Sequence, residues 1–173
     1  MRTRRIAALL LGWLTRGVST RLLFSVYRSP LLDLLTYPRF FLHVLGHASF
    51  AHFSGNITLL LVLGPNLEER YGSRVILFAI LLTAFISGFA QWLFFPNAAL
   101  LGASGIVFMM ILMASLGGSR GSGIPLTLIL VFLIYIGGEV VKGVGAQDNI
   151  SQLTHVIGGL CGTVLGVGLR RGR

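Results

Sequence analysis

From Val75 to Phe95 the chain carries no charged residue, and the stretch closes on Trp92, Phe94, Phe95 and then Pro96. An α-helix needs about 20 apolar residues to cross the hydrocarbon of a bilayer. Within that hydrocarbon the segment must satisfy all its own backbone hydrogen bonds. An aromatic belt followed by a helix breaker is how such a span ends. This one stretch directs the chain toward an all-α membrane protein. The composition agrees, with 54% hydrophobic residues, 11% charged residues and 23 glycines among 173. A soluble domain carries about 25% charged residues, so too little polar material is present to coat a water-facing surface.

Further spans follow from the same reading. Ala98 to Leu116 is stopped by Gly117, Gly118 and a polar loop to Gly123. Ile124 to about Val140 is another, and Leu153 to Leu169 is closed by Arg170, Arg171 and Arg173. Phe50 to Leu63 is less apolar, because it holds His52, Ser54 and Asn56; Glu68, Glu69, Arg70 and Arg74 follow, with Gly72 placed as a helix C′ residue. The N-terminal signal is weaker. Ile6 to Leu14 would rise only about 14 Å as a helix. Extension to Tyr27 takes in Arg16 and Arg21, each costing about 3 kcal/mol at mid-membrane. The expectation is a polytopic all-α bundle of five or six spans with its first span short or truncated, forming one domain over residues 1–173.

The formal net charge of +9 would suggest nucleic acid in a soluble protein. Here the arginines lie between apolar runs and at the termini, where they serve as topology signals and contacts to anionic lipid. If the N-terminus crosses, Arg2, Arg4, Arg5, Arg70, Arg74, Arg120, Arg170, Arg171 and Arg173 share the inner side, and Arg16, Arg21, Arg28, Arg39 and Lys142 lie outside. Without that crossing the excess reverses, against the positive-inside rule. Cys161 is the lone cysteine, which excludes an intramolecular disulfide and argues against a zinc-thiolate site.

Polar side chains inside a bilayer are expensive and mark function. Ser104 lies in Leu101-Gly102-Ala103-Ser104-Gly105 near the start of a span. Backbone N–H groups at a helix N-terminus are unsatisfied and can bind a developing oxyanion. The same segment also suits plain helix packing. His155 opens the last span, with Gly158, Gly162 and Gly166 on its face; the stripe carries it against a neighbouring helix. A histidine merely bonded to a carbonyl there is the alternative. His52 and Asn56 are four apart and project together, as do His43 and His47. Paired histidines can bind zinc, but no H-E-x-x-H pattern exists and few further ligands are available. Neither metal nor cofactor is expected. A serine needs a base to become a nucleophile, and no Asp or Glu lies within the core of a span. A Ser–His dyad is what the inventory permits.

Taken in order, His43-x3-His47-x4-His52-x3-Asn56, Glu68-x-Arg70 before Gly72, Gly102-Ala103-Ser104-Gly105 and His155-x2-Gly158-x3-Gly162 resemble the rhomboid family of intramembrane serine proteases. The resemblance covers about residues 39–169, with 1–38 a divergent first span and first loop. It implies a six-helix core with a water-accessible site open to the extracytoplasmic side. Ser104 would be the nucleophile and His155 the general base. His52, Asn56 and the Ser104 amide would form the oxyanion hole. Glu68 and Arg70 match the family's structural E-x-R pair, and Arg39 matches a first-loop position. The loop at about Thr15 to Ser49 resembles the family's partly embedded lateral loop. Phe108 departs from the family, standing where many relatives carry a tyrosine against the catalytic histidine; a phenyl ring can still stack. The resemblance further implies a multi-pass integral membrane protein, of the cell membrane if prokaryotic, acting on transmembrane protein substrates in the lipid bilayer and not on nucleic acid. A rhomboid-like protein that binds membrane clients without cutting them is the main alternative. A small transporter or channel fits less well, for want of an internal repeat.

Overall fold

The computed structural model describes residues 17–118 and 149–170. Among them six α-helices follow one another: α1 (Val18–Leu23), α2 (Thr36–Leu42), α3 (Phe50–Tyr71), α4 (Ser73–Phe94), α5 (Ser104–Gly118) and α6 (Asn149–Arg170). A short 3-10 turn, His43–Leu45, extends α2. The described residues hold no strand, only one antiparallel bridge between Val26 and Leu100.

α4 and α6 (from Gln152 to Leu169) are long and apolar enough to cross a membrane. The arm of α2 and its 3-10 turn meets α3 at a bend of 81°, and α5 is a shorter apolar helix. The outward faces of α4 and α6 carry Leu77, Phe78, Leu81, Phe85, Val156, Leu160 and Val164, while Thr83, Ser87, Gln91 and Ser104 are buried within. Apolar outside and polar within is the arrangement of an integral membrane protein.

Local chemistry sets the ends. The Ser49 hydroxyl accepts from the His52 N–H and caps α3. At the other end Gly72 adopts φ +83, and its N–H bonds to the Glu68 carbonyl; the chain turns there and starts α4 at once. α3 continues beyond the apolar span Phe50–Leu63, through Gly64 and Pro65 to Tyr71, and ends at Gly72 as expected. Pro65 lacks the N–H that would bond back one turn, a local loss the helix absorbs. α5 begins at Ser104 and not at Ala98 as hydropathy suggested. Leu100 exchanges two 2.9 Å backbone bonds with Val26, and Gly102 sits at φ +126, so Ala98–Ala103 is extended. Hydropathy cannot distinguish a buried extended segment from a helical one. The expected spans at Ile6–Leu14 and Ile124–Val140 lie outside the described residues.

α3, α5 and α6 run in the same direction and α4 runs back alongside them. Gly105 of α5 meets Thr154 and Gly158 of α6, Met109 meets Gly162, and Met113 meets Gly166. On α3, Tyr71 reaches Met113 through its hydroxyl. One end of the bundle therefore gathers the starts of α3, α5 and α6, the end of α4 and the loop before α3. Loop and bundle are pinned together there. Trp92 donates its indole N–H to the Ser29 carbonyl at 3.0 Å, and Arg28 caps the last turn of α4 through the carbonyls of Trp92 and Leu93. Phe40 packs edge-on against Phe85, Phe89 and Trp92.

Candidate active site

Ser104 is delivered by the extended segment before it. The Gly102 N–H donates to the His43 carbonyl at 2.9 Å, and its φ of +126 is a conformation open to glycine alone at little cost. Two residues later the helix starts, so Ser104, 8% exposed, stands in the first turn of α5. Backbone N–H groups there have no acceptor within the helix and carry its positive dipole end.

His155 comes from the first half of α6. Its ring stacks on Phe108, with centroids 4.4 Å apart and planes 13° from parallel. Phe108 is one turn along from Ser104, on the same side of α5. The helices carrying Ser104 and His155 touch closely because of glycine. A Cβ on Gly105 would lie 2.8 Å from the Thr154 Cγ2, and one on Gly158 would overlap the Gly105 carbonyl oxygen. Gly162 is closed in the same way by the Met109 carbonyl and the Leu112 side chain.

His52 packs against Gly102, two residues before Ser104. A Cβ on Gly102 would meet its Cε1 at 2.7 Å and its Nε2 at 3.1 Å. Asn56, 2% exposed, donates one amide N–H to the His52 carbonyl at 3.0 Å; an amide has two such donors. His47 packs edge-on against His52, ring centroids 5.2 Å apart, with its Nδ1 3.2 Å from the Leu45 carbonyl. His43 is buried, and its Nε2 is 3.0 Å from the Ala84 carbonyl of α4. That ring reaches α4 because Gly88 has no side chain: a Cβ there would lie 2.7 Å from the Phe40 carbonyl oxygen and 3.2 Å from the His43 ring.

The remaining expected positions lie farther out. Arg39, 2% exposed, donates from Nε to the Leu22 carbonyl at 2.7 Å, forms a 2.7 Å ion pair with Asp33 and lies over the Tyr27 ring. It is the centre of the loop and not part of the Ser104 site. Glu68 and Arg70 lie at the opposite end of α3. Glu68 accepts the Ser73 hydroxyl at 2.6 Å, and the Arg70 guanidinium sits 5.7 Å from the Tyr71 ring.

Sequence reasoning overlooked Thr83, Ser87 and Gln91, all buried on one face of α4. Gln91 donates to the Ala98 carbonyl at 3.0 Å, bracing the extended segment before Ser104. Ser87 donates to the Thr83 carbonyl, and its Oγ is 3.7 Å from where a Gly105 Cβ would stand. A spacing of four within an otherwise apolar span was the available signal. Among the described residues no three His, Cys, Asp or Glu side chains gather as a metal site would require.

Residues 35–172 match the family model described as the Rhomboid domain. A curated relative, the rhomboid protease GlpG of Serratia proteamaculans (strain 568), is 29% identical over 127 residues. That alignment covers 71% of this chain and 45% of the relative, so the chain spans less than half the relative's length.

Proposed function

Because the chain belongs to the rhomboid family, we propose that it is a multi-pass intramembrane serine endopeptidase cutting transmembrane segments of other membrane proteins. The observation that carries this reading is the pairing of α5 and α6, which sets Ser104 at a helix start and His155 on the facing helix, stacked on Phe108. In the reaction His155 takes the Ser104 hydroxyl proton as Oγ attacks the scissile carbonyl carbon. The tetrahedral oxyanion is held by the Ser104 backbone N–H with His52 and Asn56 as side-chain donors. As the C–N bond breaks, His155 returns the proton to the leaving amine. Water then attacks the Ser104 ester by the same proton route, releasing the carboxylate. No acidic residue is needed to orient His155, since the Phe108 ring already limits its tilt. The outward apolar faces of α4 and α6 support the reading as an integral membrane protein; the membrane proposed for it is the cell membrane in a prokaryote.

The test is labelling by a fluorophosphonate probe in detergent together with cleavage of a reporter transmembrane segment. The native chain should be labelled and should cut, and Ser104→Ala should do neither. Cleavage by Ser104→Ala would remove the dyad. A native chain that binds the segment but neither cuts nor labels would favour a client-binding protein.

A further inference from the structure

Gly158, Gly162 and Gly166 form the close-packed stripe of α6, and extended by one more turn the stripe begins at Thr154. That residue is the stripe's first member and bears a side chain, which is 3% exposed. Its Cγ2 lies 2.8 Å, and its carbonyl oxygen 3.2 Å, from where Gly105 would carry a Cβ. The methyl therefore fills the space left by that missing atom. One turn further, Gly158 closes on the Gly105 carbonyl. Gly105 is thus gripped between two successive turns of α6, which fixes the sliding register of α6 on α5. Its neighbour in sequence is Ser104, and the neighbour of Thr154 is His155. The packing pair stands directly beside the reacting pair.

We infer that Thr154 is a positioning residue: its methyl, seated at Gly105, sets the distance between Ser104 and His155. The inference rests on the proposed protease reading and adds a residue to it. A well-packed contact transmits small displacements because interiors at native density have little room to relax. A misplacement of about 1 Å can cost on the order of 10²-fold in rate, so a fraction of that distance is visible in turnover.

Two substitutions separate the methyl from the hydroxyl. Thr154→Ser keeps the hydroxyl and removes Cγ2; Thr154→Val keeps a methyl in place and removes the hydroxyl. Thr154→Ser should lower kcat and the rate of Ser104 labelling by fluorophosphonate on the order of tenfold, with KM close to native and the melting temperature lowered only by what the loss of one buried methyl costs. Thr154→Val should keep the greater part of both rates. Gly105→Ala should lose activity by collision with the methyl, and Gly105→Ala combined with Thr154→Ser should recover part of it. If Val is the damaging change and Ser is not, the hydroxyl matters and the inference is wrong. Equal falls in kcat and melting temperature for Ser and Val, without recovery in the double variant, would make Thr154 a packing residue only. Cleavage by Ser104→Ala would instead remove the protease reading itself, a result separable from either.

Discussion

At the scale of single residues, the oxyanion donors make the sharpest claim after the dyad, because they act only when charge develops. Asn56 is buried and already holds the His52 carbonyl, so its position is fixed before substrate arrives. Asn56→Ala and His52→Ala should each lower kcat by about 10²–10³, the usual cost of one lost oxyanion donor. Steady-state cleavage of the reporter segment measures this, and an unchanged kcat in Asn56→Ala would make it a packing residue. A second residue-scale prediction concerns the loop. The Arg39 hydrogen bond, with the Leu35 N–H, holds the Asp33 carboxyl below its ordinary value of 3.8. A carboxylate whose pKa is depressed on folding contributes stability above its unfolded value and loses it as pH falls through the folded one. The melting-temperature gap between native protein and Asp33→Asn should therefore be constant from neutral pH to about 4 and close below 3.8. A gap that persists undiminished at the acid end would show that the ion pair is not its source.

At the scale of helices, α5 and α6 are joined by absent side chains. Helices in lipid gain nothing from burying apolar surface against one another and associate through close backbone packing. Gly162 faces the Met109 carbonyl and the Leu112 Cβ, whereas Gly159 on the same helix has nothing within 4 Å of its missing Cβ. Gly162→Ala should lower both melting temperature and turnover, and Gly159→Ala should leave turnover intact while holding or raising the melting temperature. The two differ only in what the new methyl meets, so equal behaviour would mean that the stripe is not the interface. This stripe was legible in the sequence because a spacing of four on a helix is unambiguous. So were the ordered polar positions, and the uncharged run that became α4. The start of α5 was not, since Ala98–Ala103 is as apolar as a helix and only its pairing with Val26 makes it extended. Thr83, Ser87 and Gln91 were missed because the run that holds them was read only as uncharged, although the neutral Ser104 and Asn56 were singled out in other spans. Nor did the sequence reveal the partner of Arg39, because Asp33 lies in a loop whose course hydropathy does not report.

At the scale of the whole molecule, the direction of each helix fixes which ends face the same water. α3, α5 and α6 begin at the end that holds Ser104, the 24–49 loop and the close of α4. The turn at Gly72 and the last turn of α5 lie at the other. The helix directions place Asn97 at the same end as Ser104, and Glu69 at the opposite one; both side chains are exposed. Arg70 and Arg74 share the Glu69 end, and the positive-inside rule assigns basic loops of that kind to the cytoplasm. Single cysteines at positions 69 and 97, in a Cys161→Ala background, should be labelled from opposite sides by a membrane-impermeant maleimide. Position 97 should react in intact cells or right-side-out vesicles, and position 69 only after permeabilisation. Labelling of both from one side would break the antiparallel pairing of α3 and α4 across the bilayer. Labelling from opposite sides but in the reverse sense would keep the fold and invert the membrane orientation, putting the Ser104 end in the cytoplasm.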